Sequence, residues 1–148
     1  MELPADLKIR AIFTQGGAFK AKVSRKDEYP RYYFILNNNP ASDEELVLLS
    51  STTQFELHKF CDGGDDVHIP LGPTEYKEFT AECLICCNRP MRVPKSNLVK
   101  QLKSQKYQLL DHLPYKIVEQ IVNGIAKSNV VDSVVKALVV GEDLDSRS

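Results

Sequence analysis

The sequence lacks the features that mark several classes of protein. It contains no tryptophan and four cysteines in 148 residues, and because these are few and clustered we expect thiols, not a disulfide framework. No apolar run approaches the roughly 18 residues that a membrane-spanning helix needs, which argues against a membrane partner. Residues 1–10 lack a basic segment followed by an apolar core, so we expect no secretory signal and a cytoplasmic location.

An excess of one charge is also missing, since the formal net charge is −1. The charges are nevertheless segregated: residues 1–40 carry seven Lys or Arg against four Asp or Glu, residues 83–127 carry eight against two, and residues 41–82 carry two against ten. A protein that binds any nucleic acid avidly usually has a broad basic surface. This chain can offer only a local basic face built from the first and third of these segments, or a solvated surface of mixed charge.

What is present is a series of short strand patterns followed by helix patterns. Apolar runs bounded by turn residues predict strands at residues 18–24, 31–36, 45–51, 67–71 and 82–88, and residues 55–60 predict a further strand or a short helix. In the last third, Ser96 is a candidate N-cap and Pro114 suits a first helical turn. Two apolar stripes follow at helical spacing: Ile117, Val118, Ile121, Val122 and Ile125, then Val130, Val131, Val134, Val135 and Leu138. Gly141 is expected to end the second helix.

This order of elements predicts a mainly β protein with C-terminal helices, in which a small twisted barrel or curved sheet is covered by the helices. We predict a β-barrel domain over residues 1–110 and a helical extension, packed on the barrel, over residues 111–140. Residues 141–148 are expected to form a mobile tail.

The cysteines raise the possibility of a metal site. His58 with Cys61, and Cys83 with Cys86, have the spacing of two zinc half-sites. The second pair, however, falls in a predicted strand, where successive side chains point to opposite faces and no tight turn joins the ligands. Core packing is therefore the favoured role for these cysteines, and we predict no metal or cofactor. His58 is retained as a candidate acid or base because the reference pKa of histidine lies near 6.5.

A different constellation joins two neighbouring predicted strands. Arg31 begins the run RYYFIL, and Thr52 and Gln54 follow the next strand. Strand ends on one rim of a small barrel converge, so these side chains could share a site. The guanidinium and hydroxyl groups could then hold a phosphate and stabilise the added charge of its transition state. The alternative is that Arg31 pairs with a surface acid and that the threonines only end a strand.

At these residues the sequence resembles the MazF/PemK family of toxin endoribonucleases. The matching stretches are GAFKAKVS, PR followed by YYFILNNNP, EELVLLSSTTQ, and ECLICCNRPMRVPKSNLVKQL. In the family, a strand that opens with Arg-Pro is followed by one that ends in Ile-Thr-Ser-Gln or a similar sequence, then by an apolar strand and a short helix that begins with Ser. The resemblance covers residues 16–104.

The resemblance implies an SH3-like β-barrel that forms a homodimer and cleaves single-stranded RNA without a metal. The RNA 2′-hydroxyl attacks the neighbouring phosphate, and a small antitoxin protein is the expected partner. By position, Arg31 and Thr52 match the family's catalytic arginine and threonine. We also predict RNA contacts from Arg25, Lys26, Thr53, Gln54, Asn88 and Arg89.

The general base is not fixed by the resemblance. The family's Arg-Pro is reversed here to Pro30-Arg31, and some members place an arginine and an aspartate where this chain has Cys86 and Asn88. An amide cannot accept a proton as a carboxylate does, and arginine stays protonated at neutral pH. The remaining candidates for the acid or base are His58, Glu28 and Asp27. The alternative is a non-catalytic barrel of this kind that binds RNA or a protein partner.

Overall fold

The computed structural model describes Ile9 and residues 11–25, 27–53 and 68–141. Within these ranges seven strands and three helices follow one another along the chain. In order they are β1 (Ala18–Ala21), β2 (Arg31–Ile35), β3 (Glu45–Thr52), β4 (His68–Leu71), β5 (Cys83–Cys86), β6 (Met91–Pro94), α1 (Lys95–Lys103), β7 (Gln108–Leu110), α2 (Tyr115–Lys127) and α3 (Ser133–Val140). None of the described helices is long and apolar enough to cross a membrane.

The strands form one antiparallel sheet that is organised around β3. The order is β4-β5-β3-β2-β1-β7, and β6 also pairs with β3. One edge of β3 pairs with β2. The other edge is divided, because Glu45 to Leu48 pair with β6 whereas Ser51 and Thr52 pair with β5. The C-terminal end of β3 therefore lies where the strand changes partner.

Both faces of the sheet are buried, and consecutive side chains of β2 and β3 alternate between two cores. On the face that we call the α1 face, Tyr33 and Leu48 pack with Leu98 and Leu102 of α1. On the opposite face, which we call the α2–α3 face, the intervening residues of β2 and β3 pack against the apolar side chains of the two C-terminal helices. The strand residues are Phe34, Val47 and Leu49, and the helix residues are Ile117, Val118, Ile121, Ile125, Val135 and Val139. This two-sided burial explains why both strands read as continuous apolar runs.

The predicted barrel is wrong for the described strands, because the sheet is open. Its outermost strands, β4 and β7, pair only with β5 and β1 respectively. A barrel closes a sheet so that one face encloses a single core. Here α1 covers one face and α2 with α3 covers the other, so each face is buried without closure.

Most predicted elements are confirmed, and the errors lie at their ends and in short strands. The strands at 31–36 and 45–51 and the helix with the first apolar stripe are present. Pro94, not Ser96, occupies the N-cap position of α1, and no side-chain hydrogen bond caps that helix. Val130 and Val134 of the second stripe are exposed. Gly141 does end α3, with a φ of 89° that favours glycine. The strand or helix predicted at residues 55–60 lies outside the described residues.

Candidate functional site

A groove of about 870 Å³ lies at the ends of β2 and β3. Its walls come from the loop between β1 and β2, from both strand ends and from β5 and the turn that follows it. Arg31, Thr52 and Thr53 line the groove, as do Asp27, Glu28 and Arg89. Several predicted site residues are therefore brought together on one surface.

The antiparallel register of β2 and β3 explains why Arg31 and Thr52 lie at the same groove. Tyr33 pairs with Ser50 in this antiparallel ladder. Continuing the same register by two residues on each strand places Arg31 opposite Thr52. Directly opposed residues of an antiparallel pair project from the same face, with Cβ atoms about 5 Å apart. Arg31 and Thr52 therefore line one groove at adjoining strand ends, although the sheet is not a barrel and Gln54 lies outside the described residues.

Arg31 is oriented from two sides. Its Nη2 donates a hydrogen bond of 3.1 Å to the carbonyl oxygen of Ser51, and its Nη1 lies 3.9 Å from Oδ1 of Asp27. The arginine side chain is nevertheless 44% exposed, whereas that of Asp27 is 2% exposed. The cation is thus fixed by a backbone oxygen and a buried anion but still faces the groove.

Asp27 is engaged by its surroundings on both carboxylate oxygens. Its Oδ2 accepts hydrogen bonds from the hydroxyl of Tyr33 at 2.6 Å and from the backbone amides of Val23 and Ser24 at 3.0 and 3.1 Å. Burial, followed by the hydrogen bond to Asp27, raises the pKa of Tyr33 well above its ordinary value, so this phenol remains a donor. These contacts favour a role for Asp27 in positioning Arg31 over a role as the group that accepts a proton from substrate.

The remaining groove residues supply hydroxyl, cationic and anionic groups. Thr52 is half-buried, and Thr53, Arg89 and Glu28 are exposed. Glu28 is an exposed carboxylate at the groove, where it could come within hydrogen-bond reach of a bound ligand, as a general base must. Tyr29, next to it, is 71% exposed and also lines the groove.

Other predicted site residues are not at the groove. Asn88 does not line it, and its Oδ1 accepts a hydrogen bond from the hydroxyl of Ser128, which follows α2. Arg25 is exposed but is not among the groove residues. Lys26, Gln54 and His58 lie outside the described residues, so their predicted roles stay predictions.

The cysteines near the groove behave as buried groups. Burial raises the pKa of the Cys87 thiol to about 12, and burial likewise raises the pKa of Cys83 despite a hydrogen bond with Ser51. A raised pKa disfavours the thiolate that a nucleophile or a metal ligand needs. Cys86 is disulfide-bonded, so the expectation of free thiols is wrong at this position. Of the four predicted zinc-spacing residues, His58 and Cys61 lie outside the described residues.

Sequence reasoning missed the residues that support the site. The apolar run predicts only that Tyr33 lies in a strand, whereas its hydroxyl donates a hydrogen bond to the carboxylate beside Arg31. Alternation along β2 contains the signal, because Tyr33 lies two residues after Arg31 on the same face. The fold of the loop that carries Asp27 has no comparable sequence signal.

The groove defines a class of site in which an oriented arginine and a threonine share one sheet face. Comparison with known proteins adds no family to this description, since no family model and no curated protein matches the chain.

Proposed function

We propose that the protein is a metal-independent endoribonuclease that binds single-stranded RNA in the groove and cleaves it there. The observation that carries the proposal is that Arg31 and Thr52 line one groove at adjoining strand ends, with the guanidinium held by Ser51 and Asp27 and still exposed. A fixed guanidinium presents several N–H donors in a plane that matches the oxygens of a phosphate.

The proposed chemistry uses the RNA's own nucleophile. Glu28 accepts the proton of a ribose 2′-hydroxyl, and the 2′-oxygen attacks the adjacent phosphorus. Arg31 and the hydroxyl of Thr52 stabilise the negative charge that grows on the non-bridging oxygens. The bond from phosphorus to the 5′-oxygen breaks, and that oxygen takes a proton from solvent in the groove. The products are a 2′,3′-cyclic phosphate and a 5′-hydroxyl, and no metal takes part.

A second candidate function is RNA binding without cleavage. It is favoured by the state of Asp27, whose Oδ2 is occupied by three donors and whose Oδ1 faces Arg31. This leaves Glu28 as the carboxylate available among the described groove residues. If Glu28 does not act as a base, the same arginine and threonine bind a phosphate and release it unchanged.

Cleavage of a long unstructured RNA in the presence of EDTA tests the proposal. The wild-type protein is expected to generate 5′-hydroxyl ends, and Arg31→Ala is expected to lower the rate by about 100-fold or more. Arg92→Ala is the matched control, because this arginine is 43% exposed, bonds Glu45 on the sheet and lies away from the groove. Thr80, which is exposed between β4 and β5 and is not among the groove residues, gives Thr80→Ala as the control for Thr52→Ala.

The outcomes separate the two candidate functions. The binding function is supported if the wild-type protein binds RNA without cleaving it and Arg31→Ala binds RNA more weakly. Cleavage that requires a divalent metal, or that survives both Arg31→Ala and Thr52→Ala in folded protein, contradicts the nuclease proposal.

The family resemblance extends the proposal to a toxin with a small antitoxin partner. On this view the open sheet is a divergent form of the SH3-like barrel and the protein forms a homodimer. Growth arrest when the wild-type chain is expressed in bacteria, but not when Arg31→Ala is expressed, tests the toxin role. Light scattering of the purified protein tests the dimer.

A further inference from the structure

The sequence segments with basic residues and no acidic ones meet on the α1 face of the sheet. Residues 11–25 contain no Asp or Glu, and neither do residues 83–110, which hold six Lys or Arg. The end of β1 belongs to the first segment and α1 belongs to the second. The segregation of charge along the sequence therefore becomes a local feature of the surface.

Side-chain amides of α1 and the turn after it fix this contact. Gln105 donates to the carbonyl oxygen of Lys22 at 2.7 Å and accepts from the amide of the same residue at 3.1 Å. Gln101 donates to the carbonyl oxygen of Val23 at 3.0 Å. These three hydrogen bonds hold the backbone just beyond β1 against the C-terminal end of the helix.

Four of the cations around this contact form no ion pair within the part of the chain that the structure describes. Lys22, Arg25, Lys100 and Lys106, which we call the basic face, are all exposed. None of them forms an ion pair with an acidic residue in the described part of the chain. Like charges gathered without counter-charges create a positive potential that attracts an anionic ligand.

The basic face is continuous with the groove. Ser24 lines the groove, and its amide and that of Val23 donate to the carboxylate of Asp27. The segment that α1 holds is therefore also a wall of the groove. Leu48 and Tyr33, which line the groove, belong to the core that α1 covers, so this part of the groove lies on the same face of the sheet as the basic face.

We propose that the basic face binds the phosphates of a single-stranded RNA that extends beyond the groove. The choice of RNA as the ligand rests on the proposed function, whereas the basic face consists of residues that do not line the groove. An anionic membrane is a poorer fit, because a helix that inserts into lipid presents exposed large apolar side chains. Among the described residues those are Tyr29, Tyr115, Val130 and Val134, and none lies on α1.

The test compares the binding of short and long RNA by charge variants. The probes are 2′-O-methylated single strands of about 5 and about 15 nucleotides, spanning the usual footprint of a single-strand-binding surface. Methylation removes the attacking hydroxyl, so cleavage does not interfere. The variant Lys100→Gln/Lys106→Gln removes two charges from the basic face. Lys116→Gln/Lys127→Gln makes the same change on α2, at the opposite face of the sheet.

If the basic face binds RNA, removing its charges lowers affinity for the long strand more than for the short strand. Wild type binds the long strand more tightly than the short one, and Lys100→Gln/Lys106→Gln lowers affinity for the long strand by about tenfold at low salt. The slope of log affinity against log salt falls in magnitude by about 0.7 for each phosphate-bound lysine removed. The affinity for the short strand and the behaviour of the α2 control are expected to stay at the wild-type level.

Three results would overturn the inference. They are an unchanged length dependence in Lys100→Gln/Lys106→Gln, an equal loss in the α2 control, or binding to phosphatidylcholine–phosphatidylserine vesicles in preference to RNA. Failure of the proposed nuclease is distinguishable. In that case unmethylated RNA stays intact in EDTA, whether or not Lys100→Gln/Lys106→Gln lowers affinity for the long strand.

Discussion

Oδ1 of Asp27 lies 3.9 Å from Nη1 of Arg31 and joins a buried anion to a half-exposed cation at the groove. The two residues differ in how firmly the surrounding protein holds them. Asp27 is fixed by three donors on its other oxygen, so it supplies a stationary charge against which the guanidinium is held. Preorganised charge of this kind contributes to catalysis because it costs no reorganisation during the reaction.

Removing the Tyr33 hydroxyl tests whether its hydrogen bond to Asp27 stabilises the fold and positions Arg31. Tyr33→Phe takes away a donor to a buried carboxylate, and we expect the free energy of unfolding to fall by about 2 kcal/mol. We also expect slower cleavage with an unchanged apparent affinity for RNA, since Arg31 would remain present but less well positioned. Urea unfolding and single-turnover kinetics measure the two effects.

Tyr115→Phe is the matched control for this substitution, because Tyr115 is 82% exposed. Equal behaviour of Tyr33→Phe and Tyr115→Phe in both measurements would show that the hydroxyl of Tyr33 supports neither the fold nor the site.

Alkaline pH should destabilise the protein through Cys87. Burial raises the pKa of its thiol from 9.0 to about 12. A raised pKa contributes stability that is fully present below the unfolded value and is lost as pH rises from about 9 toward 12. Between about pH 8 and about pH 10.5 this residue should therefore account for a loss of about 2 kcal/mol in the free energy of unfolding.

Urea unfolding of the wild type and Cys87→Ala at the two pH values measures this contribution. The loss on raising the pH should be smaller in Cys87→Ala, because the titrating thiol is gone. Val135→Ala, which truncates another buried side chain, should keep the wild-type pH dependence. A pH dependence in Cys87→Ala that equals that of the wild type would contradict the assignment.

Two adjacent residues should respond in opposite ways to truncation. Asn88 bonds Ser128 beside α2, whereas Arg89 is exposed in the groove. Asn88→Ala should lower the free energy of unfolding by about 1 kcal/mol and leave RNA affinity unchanged. Arg89→Ala should do the reverse, weakening RNA binding and reducing its salt dependence.

Thermal or urea unfolding and fluorescence anisotropy with a methylated RNA measure the two properties on each variant. Weaker RNA binding in Asn88→Ala, with stability unchanged, would restore the sequence-based expectation that this amide contacts RNA.

Local periodicity accounts for the parts of the fold that the sequence predicts correctly. The continuous apolar runs of β2 and β3 and the stripe of α2 arise from burial on identifiable faces, which leaves a pattern in a short window. Val130 and Val134 continue such a stripe but are exposed. Val130 precedes α3, which begins at Ser133, so helical spacing does not apply to it.

Non-local features could not be read from these patterns. β6 and β7 have four and three residues, too few to show a period, and they are strands because partners are available in β3 and β1. Whether the sheet closes depends on how α1 and the C-terminal helices cover its two faces. That arrangement is a property of the packed chain and not of any segment.

The candidate site also has some features that local sequence patterns predict and others that depend on distant contacts. The presence of Arg31 and Thr52 at one groove was predictable, because the start of one strand and the end of the next lie together in an antiparallel pair. The roles of Asp27 and Asn88 were not, because each is set by contacts with distant backbone or with another element. Asp27 was predicted as an acid or base, whereas its contacts indicate a positioning residue.

The joint action of Arg31 and Thr52 on one phosphate is tested most directly by a double-mutant cycle. Single-turnover cleavage rates in EDTA are measured for the wild type, Arg31→Ala, Thr52→Ala and the double variant, each verified as folded. Groups that stabilise the same transition state are not additive. The double variant should therefore be slower than the slower single variant by no more than about threefold. A rate reduced by the product of the two single effects, or two single variants that cleave like the wild type, would contradict the account.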